Sequence, residues 1–232
     1  MQVAGSPSIE EDIIAFLARY TMGISLKLIL IGCEYTGKST LAQKLVSWGK
    51  TYDMQFHLDD HFTIPDSSLP DEDRKTMLTL SPQFKERFQR FQDVYHVRIL
   101  RKYRDAIEVG FYSENTIYGP LYYGYQPNFL AIRHGRRLEK ELPNETILVL
   151  LTTSPSEIIR RMKDNPHRYQ VIKQKDIPEL LEKFEEEYQS TTIHAKIKID
   201  TTNLTPNQVL EELLIKVRCH LAIDDLVRMM KN

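Results

Sequence analysis

LKLILIGCEYTGKST, residues 26–40, decides how this chain folds. Its first seven residues are aliphatic on both faces and close on glycine, the pattern of a short strand buried on both sides. The remainder, GCEYTGKST from Gly32 to Thr40, fits G-x-x-x-x-G-K-[ST] in full. From Lys38 to Trp48, Leu41, Leu45 and Trp48 share one helical face, so a helix leaves the loop. A strand entering and a helix leaving separate this reading from the plainer one, a Gly-rich turn with a solvated lysine. Gly32 and Gly37 allow the backbone to curl until its N–H groups converge on an anion. The positive end of the following helix adds to that field. Lys38 reaches the outer phosphates, and the Ser39 hydroxyl is placed to ligate Mg²⁺. Gly32, Glu34, Tyr35, Thr36, Gly37, Lys38, Ser39 and Thr40 are therefore the expected phosphate-binding residues.

Beyond the loop, aliphatic strands alternate with amphipathic helices. TILVLL (146–151) and AKIKI (195–199) read as strands, and MQFHLDDHF contains a second strand ending around Leu58. Helices are expected from Lys38 to Trp48, from Pro82 to about Ile107, from about Phe129 to Leu142, from Ser154 to Met162, from Pro178 to Ser190 and from Pro206 to about Leu221. Phe111 to Tyr118 should begin as a strand, and residues 63–82 as a loop with one helical turn. Residues 1–23 read as a tail and a short helix opened by a Ser8/Glu11 capping box. This alternation predicts a parallel sheet covered on both faces. With no repeat and no linker, a single domain over 1–232 is expected.

Composition narrows the classes. Of 232 residues, 41% are hydrophobic and 27% charged, and the net charge is -1, so the basic excess of a nucleic-acid binder is missing. Cys33 and Cys219 are the two cysteines, too few for a disulfide framework, which points to a cytoplasmic protein. Apolar runs reach about six residues against the ~18 needed to span a bilayer, so no membrane association is expected.

The second candidate is HLDDHF, residues 57–62. An aspartate at the end of the second strand faces the phosphate loop across the carboxyl edge, where open α/β sheets bind ligands. There a carboxylate can take a proton from an attacking hydroxyl or hold Mg²⁺ through water. Asp59 is the first choice, with Asp60 next; solvated loop carboxylates are the alternative. His57 and His61 flank the pair without a third clustered ligand.

At these residues the chain resembles P-loop nucleoside and nucleotide kinases. The loop with L-D-D-H-F is similar to uridine kinase and nicotinamide-riboside kinase relatives. SENTIYGPLYYGY (113–125) is similar in layout to the Glu-Arg-Ser…Tyr stretch of deoxynucleoside kinases and, more loosely, to thymidylate kinases. In that match Glu114 is the acidic residue and Tyr118 the later tyrosine, but Asn115 stands where the family has arginine. SEIIRRMKDNPHR (156–168) is similar to the arginine-bearing lid of these kinases, with Arg160, Arg161, Lys163 and Arg168 close together. Arginines on a closing lid stabilise a transferring phosphoryl group, and these would replace the missing one; the alternative is an exposed helix paired with Glu157 and Asp164.

The resemblance implies a P-loop NTPase three-layer α/β sandwich of about five mainly parallel strands, with a small lid near residues 160–176. It implies transfer of the γ-phosphoryl of ATP, with Mg²⁺, to a nucleoside or nucleoside monophosphate, and a homodimer. Lys38, Asp59, Glu114, Arg160, Arg161 and Arg168 are the expected catalytic residues, and Ser39 and Asp59 the expected metal ligands. Phe84, Phe88, Phe91 and Tyr95 on one helix, and Tyr118, Tyr122, Tyr123 and Tyr125 after it, are candidates to hold a base or to be plain core. Arg133, Arg136 and Arg137 are candidates for an acceptor phosphate or a solvated face. Two further readings stay open: a kinase of another hydroxylated metabolite, and a nucleotide-binding regulatory protein weakened by Asn115.

Overall fold

The strand that opens the phosphate loop, β1 (Lys27–Ile31), runs through the middle of a five-stranded sheet with every neighbouring pair parallel. Its companions are β2 (His57–Asp59), β3 (Ala106–Val109), β4 (Thr146–Thr152) and β5 (Ala195–Asp200), and the order across the sheet is β2–β3–β1–β4–β5. The computed structural model describes residues 25–51, 54–60, 63–125 and 135–229, with side chains through residue 220.

The helices are α1 (Lys38–Lys50), α2 (Asp71–Thr79), α3 (Pro82–Lys102), α4 (Tyr112–Tyr118), α5 (Pro155–Asp164), α6 (Ile177–Ser190) and α7 (Pro206–Met229). A single π-helical turn, Gly119–Tyr123, follows α4, and residues 135–139 are also helical. Because side chains alternate along a strand, β1 feeds two cores. Ile29 and Ile31 pack with Leu100 of α3, Tyr118 of α4, Ile158 of α5 and Phe184 of α6. Leu28 and Leu30 pack on the opposite face with Leu41 and Leu45 of α1 and Leu213 and Val217 of α7. The expected three-layer α/β sandwich is the observed one. Its order reverses on either side of β1, so the segments leaving the strands gather at one carboxyl edge.

Local differences from the sequence reading have physical causes. The helix expected to reach Ile107 stops at Lys102, and β3 takes Ala106–Val109. Tyr103 is extended, Asp105 Oδ1 accepts from Leu26 N at 2.9 Å, and Ala106 N donates to Leu26 O at 3.0 Å. That anchorage to β1 overrides a four-residue segment too short to display a period. The stretch from Phe111 to Tyr118, expected to start as a strand, is α4, entered through Gly110 at φ +94. Between residues 63 and 82 the helical part is nine residues long, with Asp71, Glu72 and Asp73 at its positive end. The helix after Pro206 continues beyond Leu221 to Met229. The N-terminal tail and helix, and the start of the helix expected at Phe129, lie outside the described residues.

Among the described residues no helix is long and apolar enough to cross a membrane. Cys33 is buried, Cys219 is exposed, and neither is in a disulfide.

Candidate active site

Between β1 and α1 the chain makes the curl that its glycines permit. Gly32 and Gly37 have φ of +145 and +100. A Cβ on Gly32 would stand 2.3 Å from the Leu151 carbonyl oxygen, so no side chain fits there. Inside the turn, Thr36 Oγ1 donates to Cys33 O at 2.8 Å, and Leu41 N donates to Gly37 O at 2.9 Å.

Tyr35 is the one described non-glycine residue with positive φ, at 66°. Such a conformation costs a residue with a Cβ roughly 1–2 kcal/mol, and it persists where the surroundings over-determine it. Here they do. The Tyr35 hydroxyl donates to Gln170 Oε1 at 2.8 Å and accepts from His167 N at 2.9 Å, and the ring stacks on His167 with centroids 4.0 Å apart. Its carbonyl accepts from Arg161 at 2.9 Å.

Arg161 is thus a brace behind the loop. Besides Tyr35 O it donates to Thr201 O at 2.8 Å, Thr201 Oγ1 at 3.1 Å and Glu157 Oε1 at 2.7 Å. Thr201 Oγ1 in turn lies 3.0 Å from Thr36 O, tying the loop to the end of β5. Ser154 caps α5, accepting from Glu157 N at 3.2 Å, an interaction worth about 1 kcal/mol. The Glu157 carboxylate turns to Arg160 and Arg161, whose hydrogen bonds hold it down at about 2.

Lys38 Nζ lies over its own loop, donating to Gly32 O at 2.5 Å and Cys33 O at 3.3 Å, and 3.3 Å from Glu114 Oε1. Burial raises the Glu114 carboxyl above its ordinary range and Lys38 opposes the rise. Ser39 Oγ donates to Asp60 Oδ1 at 3.1 Å. These groups face a cavity of about 1060 Å³, whose wall also includes Gln89, Asn115, Tyr118 and Arg74.

The two aspartates after β2 part company. Asp60 lines the cavity, whereas Asp59 is 1% exposed and turns under α3 with His96 and Glu108. Asp59 is the last strand residue and follows the pleat; Asp60 lies past the strand and escapes it. The position expected for Asp59 is therefore held by its neighbour. His57 stacks on Tyr103, with centroids 3.9 Å apart, and His61 falls outside the described residues.

Asn115, in the place of the resembling family's arginine, donates to Asp93 Oδ1 at 2.7 Å. Tyr118 OH accepts from Glu34 N at 3.2 Å and so shapes the loop. Phe84 and Phe91 are 67% and 77% exposed and so form no pocket wall. The inward side of α3 instead carries Gln89, Gln92, Asp93 and His96, all buried. Their spacing of three and four residues was a readable signal for a polar inner stripe.

The arginines of the 156–168 segment are engaged with protein groups. Arg160 pairs with Glu157 at 2.7 Å and Asp164 at 2.6 Å, and Arg168 with Asp71 at 2.8 Å. Tyr169 also donates to Asp71, at 2.6 Å, so α2 and the 165–173 connection meet on one carboxylate. Arg136 pairs with Glu139 at 2.9 Å and Glu187 at 3.2 Å; Arg133 lies outside the described residues.

No protein-family model matches the chain, and no curated protein matches it in sequence. Solved structures do match. Deoxyadenosine kinase from M. mycoides with bound dATP is 14% identical with a TM-score of 0.60, over 83% of this chain and 99% of that one. The same enzyme with bound dCTP gives 14% and 0.57, over 84% and 100%. The YorR protein of Bacillus subtilis, in complex with phosphorylated GDP, gives 18% and 0.55, over 83% and 95%. What these proteins share with the present chain is a P-loop nucleoside-kinase-like fold.

Proposed function

We propose that the protein is an ATP-dependent kinase that transfers the γ-phosphoryl group to a hydroxyl of a nucleoside or nucleoside monophosphate. The observation that carries this reading is the juxtaposition, around one cavity, of loop residues Cys33–Thr40, Lys38 among them, with Asp60 and Glu114. The named nucleotides of the fold neighbours support the same substrate class.

In this reading the loop amides and the N-terminus of α1 hold the β- and γ-phosphates, and Lys38 leaves the carbonyls of Gly32 and Cys33 for the phosphate oxygens. Asp60 accepts the proton of the attacking hydroxyl, and Glu114 orients the acceptor. Ser39 Oγ, 3.1 Å from Asp60 Oδ1, would hold Mg²⁺, with the carboxylate reaching the ion through water. When bound with the nucleotide, Mg²⁺ supplies neutralisation of the phosphate charge. Gln89, at the cavity wall, offers a donor and an acceptor to a base edge. The 160–176 segment acts as the lid.

A regulatory nucleotide-binding role is favoured by one observation: Asn115 is bonded to Asp93, and Arg160, Arg161 and Arg168 are engaged with protein partners. Measuring ADP release with ATP·Mg²⁺ across nucleosides and their monophosphates separates the two. Acceptor-stimulated release supports the kinase; tight ATP binding with no acceptor able to stimulate release supports the regulator.

A further inference from the structure

Three buried side chains converge under α3, outside the cavity wall. Asp59 ends β2, Glu108 is its register partner on β3, and His96 descends from α3. Their ligand atoms lie within 4.8 Å of one another, and His96 Nε2 stands 3.6 Å from Glu108 Oε2. Glu108 is 0% exposed, and among the described residues neither of its carboxyl oxygens has a hydrogen-bond partner. One turn before His96, Gln92 is 3% exposed with both carboxamide atoms likewise unpartnered. Buried polar atoms are nearly always satisfied, so an unpartnered carboxyl beside a second one calls for a missing neighbour. Two carboxyl groups buried side by side repel as anions, and a cation between them removes that repulsion.

We propose that Asp59, His96 and Glu108 form a structural site for one divalent first-row metal ion, with zinc the best match. The donor set is two carboxylates and one imidazole, which suits zinc and its neighbours. Magnesium prefers all-oxygen octahedral shells that keep water, and so suits this buried pocket less. Tetrahedral ligands at about 2.1 Å from the ion stand about 3.4 Å apart, close to the 3.6 Å between His96 and Glu108. The ion's charge balances the two carboxylates, and the Gln92 carboxamide oxygen or a water completes four-fold coordination. Such an ion fixes the carboxyl end of β2. The site stands independently of whether the chain transfers phosphoryl groups.

The full chain, stripped with chelator, is titrated with Zn²⁺ alone and with Co²⁺ alone. One ion per chain retained through gel filtration is expected, with a rise in melting temperature on Zn²⁺ and the intense visible bands of four-coordinate Co²⁺. Glu108→Gln and His96→Gln each lose the bands and the retained ion, whereas His194→Gln at an exposed position keeps both. Metal-free Glu108→Gln, having shed a buried acid, melts no lower than the metal-free parent, which separates lost binding from misfolding. A melting temperature unmoved by Zn²⁺, or a Co²⁺ spectrum that Glu108→Gln leaves intact, overturns the site and assigns the cluster to carboxyls sharing a proton.

Discussion

Lys38 Nζ lies 3.3 Å from Glu114 Oε1 and 2.5 Å from Gly32 O, held between a carboxyl of α4 and the carbonyls of its own loop. The pairing of β1 with β3 brings the two segments together. In the proposed function a polyphosphate entering the loop would compete with these partners for the ammonium.

Replacing Lys38 with alanine therefore lowers phosphoryl transfer about 100-fold or more, the scale on which one electrostatic donor acts at a developing charge. Circular dichroism and melting temperature stay near those of the parent, because Glu114 can accept a proton when its partner goes. Transfer at the parental rate in Lys38→Ala would remove the role.

Asp60→Asn slows turnover by about 100-fold or more, as expected for loss of a general base, with a much smaller effect on ATP binding. Asp59→Asn shows first in melting temperature and leaves kcat near the parental value. Steady-state kinetics on both variants, beside thermal melts, decide the matter; the reverse pattern would return the role to Asp59.

Arg161 and Arg160 are adjacent and differ in task. Arg161→Lys cannot span Tyr35 O, both Thr201 oxygens and Glu157 at once. Two or three hydrogen bonds at about 1 kcal/mol each are lost, so the melting temperature falls by several degrees and the nucleotide KM rises. Arg160→Ala, on an exposed residue, leaves both unchanged. Equal responses in melts and KM would show that Arg161 braces nothing.

Burial raises the Asp93 carboxyl well above 3.8, against the opposing bond from Asn115. The folded state then holds a proton that the unfolded chain has released. Stability is greatest below the unfolded value of 3.8 and declines as pH rises toward the folded one, by at most about 1.4 kcal/mol per pH unit. Asp93→Asn keeps the shape and the acceptor for Asn115 while removing that decline. Chemical denaturation of both forms across pH measures it, and identical slopes would refute the burial effect.

The fold was legible because its deciding residues are local. A strand of aliphatics, two glycines and a lysine fix the loop whatever surrounds them, and the aliphatic runs of β4 and β5 announce themselves. β3 was hidden because Ala106–Val109 takes its conformation from Leu26 and β1, partners about 79 residues away. The choice between Asp59 and Asp60 turned on where a strand ends, and one residue there exchanges cavity for core. The aromatic stripe on α3 drew attention from Gln89, Asp93 and His96, since apolar spacing is easier to see than a polar inner face. The commitment of Arg161 to Tyr35 and Thr201 joins residues 40 and 126 positions apart, which no local pattern encodes.

The brace formed by Thr201 and Arg161 also has a calorimetric consequence. Backbone already held from behind undergoes no coil-to-order transition on ligand entry, so the heat capacity change of nucleotide binding reports little beyond the apolar surface the ligand itself covers. Titrations at several temperatures should give a shallow slope, and cutting the brace should steepen it.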